Sequence, residues 1–527
     1  MKKYIIIFIL ILPLMNISAS PIQLWNHSET DDILCLTTAD VDNDNIKDII
    51  AGSKNYNIIA IRSDGKLLWN YTATKPVNAV FSIDINNDGN NEVLAGDSYG
   101  VLFVLSHTGQ LLWNYTNNGS APVTEIYAAD INNDGAVEII IGTSNNYTKV
   151  LTNNGTLLWE YNLWQPVSDI DIIDYDNDGK KEIVVGCGWG SANNGNKIFL
   201  LSHNGSYLWN YTVGNDVQNS LSVGDLDGDG ISDIFCGSDE NAKFFAIKSD
   251  GTQLWNYSAI PDTSSPFARH TTIIDDINND GINEIICSST GSSNGVLYVF
   301  SSAGTLLWSY TIDGWAYSVF TANVYGDSKK EVILSTSWYE FSNNNTVHVF
   351  TYYGELIGQF NCSDRVVDVL AADLNNDGFY EVIAASWDNN IYAYKFDFID
   401  LVLELTNITI LKNSVTFNVK IRKEMGGELK NVNISLYAND ILIDSLLINF
   451  SDSGSVLVSF NCTVSSFTTL KIIVDPDNIF LERTKTNNEA IIIYSPEKSE
   501  SSFFTKYGFY MAISALVIVI LVALLRR

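Results

Sequence analysis

The residues of this chain best suited to chemistry are carboxylates, and they recur at a fixed spacing. The pattern Asp-x-Asp/Asn-x-Asp-Gly-x-x-Asp/Glu or a close variant opens at Asp40, Asp84, Asp130, Asp174, Asp225, Asp276, Asn323 and Asp373, with steps of 44, 46, 44, 51, 51, 47 and 50 residues. In the fifth copy, Asp225, Asp227 and Asp229 stand at positions 1, 3 and 5, Gly230 at position 6 and Asp233 at position 9. Acids at positions 1, 3 and 5 converge if the chain turns sharply. Glycine permits the turn because it adopts positive φ at little cost, and the ninth residue closes the cage. Hard oxygen ligands in a flexible loop suit Ca²⁺ better than a transition metal.

The equivalent ligands in the other intact copies are Asp40, Asp42, Asp44 and Asp48; Asp84, Asn86, Asp88 and Glu92; Asp130, Asn132, Asp134 and Glu138; Asp174, Asp176, Asp178 and Glu182; Asp276, Asn278, Asp280 and Glu284; and Asp373, Asn375, Asp377 and Glu381. Metal-free turns use the same residue types, but three or four carboxylates crowded in one turn repel each other unless neutralised. Seven nearly intact copies therefore favour the metal. The first copy has Asn45 at position 6, a residue that tolerates the left-handed conformation. The seventh (Asn323, Tyr325, Asp327, Ser328, Glu331) has lost two ligands and the glycine, and is expected to hold no ion. About seven Ca²⁺ sites follow.

The elements around the loops are strands. An EF-hand places its last acid at position 12, between two helices; here it comes at position 9 and starts a β-branched run such as Glu138-Ile-Ile-Ile. Each unit continues with a second β run, a glycine turn and a Leu-Trp-x-Tyr strand, as in Leu68-Trp69-Asn70-Tyr71 and Leu112-Trp113-Asn114-Tyr115. Four short strands per repeat make a propeller blade. With strands A to D counted from the centre outward, the acidic loop joins A to B. The eighth unit lacks its fourth strand, whereas Leu24-Trp25-Asn26 precedes the first loop without a blade of its own. The N-terminal segment is expected to complete blade 8 and close the ring.

These units resemble FG-GAP or VCBS repeats, the family that includes the Ca²⁺-loop propeller of integrin α chains, and the Trp-bearing strand resembles that of quinoprotein-type propellers. The resemblance implies an all-β, eight-bladed propeller over residues 21–398 with Ca²⁺ in its A–B loops. Residues 399–494 read as a separate β-sandwich, with strands expected at 401–410, 415–421, 432–437, 456–460, 470–474 and 490–494. The stretch Asp475-Pro-Asp477-Asn-Ile-Phe-Leu-Glu482, with Asn487-Asn488-Glu489, resembles the CARDB module, an adhesion-related sandwich of surface proteins.

Residues 1–20 read as a secretory signal peptide: Lys2 and Lys3, an apolar run from Ile5 to Met15, then small residues. Residues 495–506 form a polar linker. Tyr507 to Leu525 is a nearly unbroken apolar stretch of 19 residues, ~28 Å as a helix. Arg526 and Arg527 place its C-terminal side in the cytoplasm. The expected location is the cell membrane, single-pass, with the N-terminal domains extracellular. Fifteen Asn-x-Ser/Thr sites, including Asn70, Asn114, Asn210 and Asn256, fit a glycoprotein. Cys187, Cys236 and Cys287 read as core residues at the ends of B strands.

The net charge of −31 excludes nucleic acid as an expected partner; 24 of the 61 acids are loop ligands. Of twelve Trp residues, seven mark outer strands. The other five (Trp164, Trp189, Trp315, Trp338 and Trp387) fall in or beside D–A and B–C connections, on the face opposite the acidic loops. Aromatic residues gathered on one loop face suggest a binding surface. The expected function is calcium-dependent adhesion or recognition of a surface glycan or protein, without catalysis. The alternative is a polysaccharide lyase: rhamnogalacturonan lyases resemble this chain in blade number and acidic loops, and Arg269 and His270 would be the catalytic pair. A quinone-dependent dehydrogenase ranks third, because the adjacent cysteines usual in that family are missing.

Overall fold

The computed structural model describes residues 20–117, 119–188, 196–213, 217, 220–238, 243–259, 272–290, 294–337, 345–397, 400–411, 414–425, 429–450, 454–463, 468–474 and 489–494. The chain divides into one compact unit over Pro21–Phe396 and a second that contains the strands from Asp397 onward.

Four strands in sequence order, Ile33–Ala39, Asp48–Ser53, Asn57–Ile61 and Leu67–Thr72, form the first antiparallel sheet. Six more sheets of the same design begin at Val77, Val123, Val167, Leu221, Thr272 and Trp315. The eighth comprises Val366–Ala372, Glu381–Ser386 and Asn390–Asp397, and its outer strand is Ser20–Ser28 from the other end of the chain. First strands touch one another in a closed cycle, in which Ile33–Ala39 meets both Val77–Ile83 and Val366–Ala372. The architecture is a β-propeller.

Strand composition follows strand position. B strands such as Glu138–Thr143 are buried at every residue, and their continuous apolar runs match burial on both faces. D strands such as Leu111–Thr116 are largely exposed, with Trp113 and Tyr115 turned inward. The apolar clusters lie between blades: one joins Ile49, Ala51 and Ile59 of the first sheet to Ile383, Ala385 and Ile391 of the eighth.

A repeated lock joins the outer rims. The indole N–H of Trp69 donates to the carbonyl of His107 at 2.9 Å, in the C–D turn of the next blade, and Trp113 does the same to Asn153 at 3.1 Å. Gly109 lies against the Trp69 ring with φ +77°, and a Cβ there would stand 2.5 Å from the indole. Glycine at this turn therefore serves both the left-handed backbone and the close approach of the ring.

The second unit holds two sheets around one core that includes Val419, Ile434, Phe460 and Ile472. Asp400–Leu411, Ser414–Met425 and Gly454–Thr463 make one sheet. The other is ordered Ile441–Phe450, Leu429–Ala438, Thr468–Val474, Glu489–Tyr494. The six expected strands are present. Ile441–Phe450 is a seventh that the pattern did not reveal, because its apolar run does not alternate: it is an edge strand exposed on both faces over 441–447. All six cysteines are free and buried. Residues 1–19 of the expected leader, the stretch 475–488 that carries the CARDB resemblance, and the apolar segment 507–525 lie outside the described residues, whereas Ser20, the last residue expected in the leader, opens the first strand. Among the described residues no helix is long and apolar enough to cross a membrane.

Candidate metal centres

Each acidic loop is preorganised by its own backbone. The position-1 carboxylate accepts the N–H of position 6: Gly89 onto Asp84 Oδ2 at 2.8 Å, Gly230 onto Asp225 Oδ2 at 2.9 Å, and Asn45 onto Asp40 Oδ2 at 2.9 Å. Asn45 reaches this geometry at φ 65°, as expected for an asparagine in a glycine's place. Position 5 accepts the N–H of position 7, as Asp134 does from Ala136 at 2.8 Å. Position 9 accepts the N–H of position 2, as Asp48 does from Val41 at 3.0 Å and Glu381 from Leu374 at 2.8 Å. Where position 3 is Asn, its Nδ2 donates to the position-9 acid, as Asn278 does to Glu284 at 2.8 Å.

In the first and sixth loops these bonds leave ligand oxygens buried without a partner. Asp48 is wholly buried, and its Oδ1 has no hydrogen-bond partner; Asp40 Oδ1 and Asn278 Oδ1 are buried without a partner as well. Ligand oxygens of Asp40, Asp42 and Asp48, of Asp174, Asp176 and Glu182, and of Asp225, Asp227 and Asp229 lie within 4.8 Å of one another. Burial, partly offset by the backbone N–H bond, pushes Asp48 and Asp233 up to about 6 and Glu182, Glu284 and Glu381 up to about 7. Neighbouring loop carboxylates push in the same direction. A hard divalent cation would satisfy the orphaned oxygens and neutralise the crowded charge, so the residues present fit such an ion.

The seventh loop departs from the others in its backbone bonding. Glu331 accepts the N–H of Tyr325 at 2.8 Å, from position 3 and not position 2, Phe379 of the eighth loop packs over Gly326, and burial pushes Glu331 up to about 8. The fifth loop departs in a way the sequence reading did not single out. Position 4 is usually Asn at positive φ, and it bridges to the next loop: Asn43 Nδ2 to Asn90 Oδ1 at 2.7 Å, and Asn87 Nδ2 to the Gly135 carbonyl at 3.0 Å. Here position 4 is Gly228, with nothing within 4 Å of where a Cβ would stand. A groove of about 500 Å³ opens beside it, lined by Asp225, Asp227, Trp255, Ile282, Asn283 and Ser302. Lys248 Nζ lies 2.5 Å from Asp227 Oδ2, and this bond holds the Asp227 carboxyl below its ordinary range.

The Trp residues expected at the opposite face separate. Trp164, between the D strand of the third blade and the A strand of the fourth, is 82% exposed at φ 60°. Trp315 lies beside the D–A connection and opens the strand Trp315–Ala322; it and Trp387 pack against the core between the first and eighth blades. Trp387 also lies under the Arg365 guanidinium, 4.7 Å from its ring centre. Trp189, Trp338, Arg269 and His270 lie outside the described residues. The sequence reading passed over carboxylates on the inner strands: Asp169 Oδ2 accepts Leu221 N–H at 2.9 Å, and Asp368 Oδ2 accepts Leu36 N–H at 3.0 Å. These acids staple neighbouring blades, and Asp within an otherwise apolar A strand, single in Val366–Ala372 and paired in Val167–Ile173, was the available signal. Burial pushes Asp169 up to about 7 and Asp171 up to about 6.

Comparison with known proteins supports the fold. Residues 130–185 and 174–236 match an FG-GAP-like repeat, and residues 49–125 match the λ-carrageenase β-propeller domain. No curated protein matches. Among solved structures, the chain is similar to Saccharomyces cerevisiae Sqt1 (14% identity, TM-score 0.54, covering 72% of this chain and 99% of that one). It is also similar to the quinohemoprotein alcohol dehydrogenase of Comamonas testosteroni (13%, 0.51, 71% and 76%) and to BamB of Moraxella catarrhalis (14%, 0.50, 71% and 98%). At these identities the likeness defines a propeller and no activity.

Proposed function

We propose that this protein is a membrane-anchored, extracellular calcium-binding protein that recognises a polysaccharide. The observation that carries the calcium assignment is the buried, partnerless Oδ1 of Asp48 inside a cage with Asp40 and Asp42, in a loop design repeated around the ring. The ions stiffen the A–B loops and leave their acids committed. Recognition then falls to the D–A and B–C connections, where Trp164 offers an exposed ring suited to stacking on a sugar. The match to a λ-carrageenase propeller domain favours a polysaccharide over a protein ligand. Single-pass anchoring through 507–525 and export by the leader complete the proposal.

The full chain in detergent, probed on a polysaccharide array with calcium and with chelator, tests the reading. Calcium-dependent retention without change in the glycan supports recognition. Release of unsaturated products would replace it with the lyase reading, and absence of retention on every polysaccharide would refute the ligand class.

A further inference from the structure

Two blades carry a base where others carry a hydroxyl. The C–D turn opens at Arg62 in blade 1 and at Lys248 in blade 5, but at Ser106, Thr152, Ser202, Ser301 and Thr351 in blades 2, 3, 4, 6 and 7. The same two blades have all-aspartate loops, with Asp48 and Asp233 at position 9 where the other intact loops have Glu. Their turns also share a frame, Arg62-Ser63-Asp64-Gly65 against Lys248-Ser249-Asp250-Gly251.

The two bases nevertheless take different partners. Arg62 stays within its own turn: Nε donates to Asp64 Oδ1 at 2.9 Å, and Nη2 donates to Oδ2. Lys66 adds a bond to Asp64 Oδ2 at 2.7 Å. In blade 5 the residue aligned with Lys66 is Thr252, whose N–H and hydroxyl both donate to Asp250 Oδ1, at 2.9 and 2.7 Å. Lys248 turns instead into the fifth acidic loop, with Nζ 2.5 Å from Asp227 Oδ2 and 3.5 Å from Asp229 Oδ2. Asp250 remains within its reach: the Thr252 bonds first, and the Lys248 charge last, hold that carboxyl below its ordinary range.

Asp225, Asp227 and Asp229 bring ligand oxygens within 4.8 Å of one another, so the ammonium meets the acids that would hold an ion. An ammonium and a divalent cation cannot share these oxygens without like-charge repulsion at contact distance. We infer that Lys248 is a built-in competitor for the fifth cation site: an entering ion displaces its ammonium from Asp227 to Asp250, the place Arg62 takes in blade 1, and the fifth site fills last. The inference rests on the calcium reading above and makes this the site whose occupancy follows changes in calcium concentration. A site that must first be vacated binds with its intrinsic affinity reduced by the fraction of molecules already vacated. The first site carries no such penalty, because Asp64 already holds its base.

Calcium binding to the full chain in detergent, followed by equilibrium dialysis, tests this. Lys248→Met keeps the stem and removes the charge. It should tighten the last ion by about tenfold or more and leave the number of ions unchanged. Arg62→Met is the comparison, and no ion should tighten by more than about twofold there, because the guanidinium is partly exposed and screened. Adding Asp229→Ala to Lys248→Met should abolish the tightened ion. A tightened ion that survives this change lies elsewhere and overturns the inference. Equal tightening in the Lys248 and Arg62 variants would reduce the effect to general charge and overturn it too. So would coincident isotherms for wild type and Lys248→Met, or loss of an ion in Lys248→Met, and in those cases the calcium reading stands. If wild type and variants alike bind no calcium, the calcium reading itself fails and the inference with it.

Discussion

The indole N–H of Trp25 donates to the carbonyl of Ser63 at 2.8 Å, joining residues from blade 8 and blade 1 where the ring closes. Its geometry repeats the Trp69–His107 lock, and Gly65 lies against the Trp25 ring as Gly109 lies against Trp69. Glu29 reinforces the junction: its carboxylate accepts from Asn55 Nδ2 at 3.1 Å and Asn57 Nδ2 at 3.0 Å, and its N–H donates to Asn389 at 2.8 Å. Trp25→Ala should destabilise the propeller by about 3 kcal/mol, the low end for removing a packed Trp, since the ring is only partly buried. Chemical denaturation measures this, and deletion of 21–28 should add concentration-dependent aggregation through the uncovered edge. A deletion variant that stays monomeric and equally stable would refute closure by this strand.

The turn glycines should be as sensitive as the rings they support. Gly109→Ala places a Cβ 2.5 Å from the Trp69 indole at φ +77°. Both the clash and the left-handed backbone oppose the change, so a loss of about 2 kcal/mol or more is expected, above the roughly 1 kcal/mol of the conformational effect alone. Gly89→Ala, where nothing lies within 4 Å, separates the two causes because it retains only the backbone strain.

What the sequence disclosed depended on repetition. The acidic loops, the Trp strands and the leftover Trp25 could be read because each recurs in a fixed frame, and repetition separates a motif from a chance cluster. Single-copy features escaped. The strand Ile441–Phe450 was missed because exposure on both faces removes the alternation that marks a half-buried strand. The groove beside Gly228 was missed because it follows from an absent side chain, visible only once Asn43 and Asn87 are seen bridging adjacent loops. Trp315 stands beside the D–A connection, as the spacing implied, but that connection is the single residue Gly314, so the indole belongs to the A strand and packs into the core.

Calcium stabilisation should depend on pH with a definite sign. Asp48 and Asp233 are raised to about 6, and Glu182, Glu284 and Glu381 to about 7, so the folded apo-protein holds protons that the unfolded chain releases near pH 4. In chelator, stability should therefore fall as pH rises from about 4 to about 7 and then level off. A bound cation needs the ionised acids, so the gain in melting temperature on adding calcium should be several degrees at pH 8 and fade as pH drops through 7 to 6. Calorimetry at each pH with calcium and with chelator measures the difference. A gain that is zero at pH 8, or constant from pH 5 to 8, would contradict the cage assignment.

The missing bridge at the fifth loop can be restored. Gly228 sits at φ +78°, a conformation that Asn adopts at the same position of other loops, and its Cβ site is empty. Gly228→Asn should raise stability by about 0.5 kcal/mol through a less flexible unfolded chain and close part of the groove. The reverse change, Asn87→Gly, should destabilise the second loop by removing its bond to the Gly135 carbonyl. Paired melting curves decide: a destabilised Gly228→Asn variant would mean that the open groove is itself required by the fold.

Recognition and ion binding should separate on opposite faces of the ring. Trp164 is exposed and contributes little packing, so Trp164→Ala should leave the melting temperature within about a degree, as surface substitutions usually do. It should nevertheless weaken retention on a bound polysaccharide at least tenfold, because a stacking ring at a sugar site carries a large share of the binding. Asp227→Ala should do the reverse. It removes a carboxylate from the cage with Asp225 and Asp229 and strips Lys248 of its closest partner, lowering calcium-dependent stability. Retention by the folded protein should be unchanged. If Asp227→Ala abolishes retention while the protein remains folded and Trp164→Ala does not, the recognition surface is the acidic-loop face, and the groove beside Gly228 becomes its leading candidate.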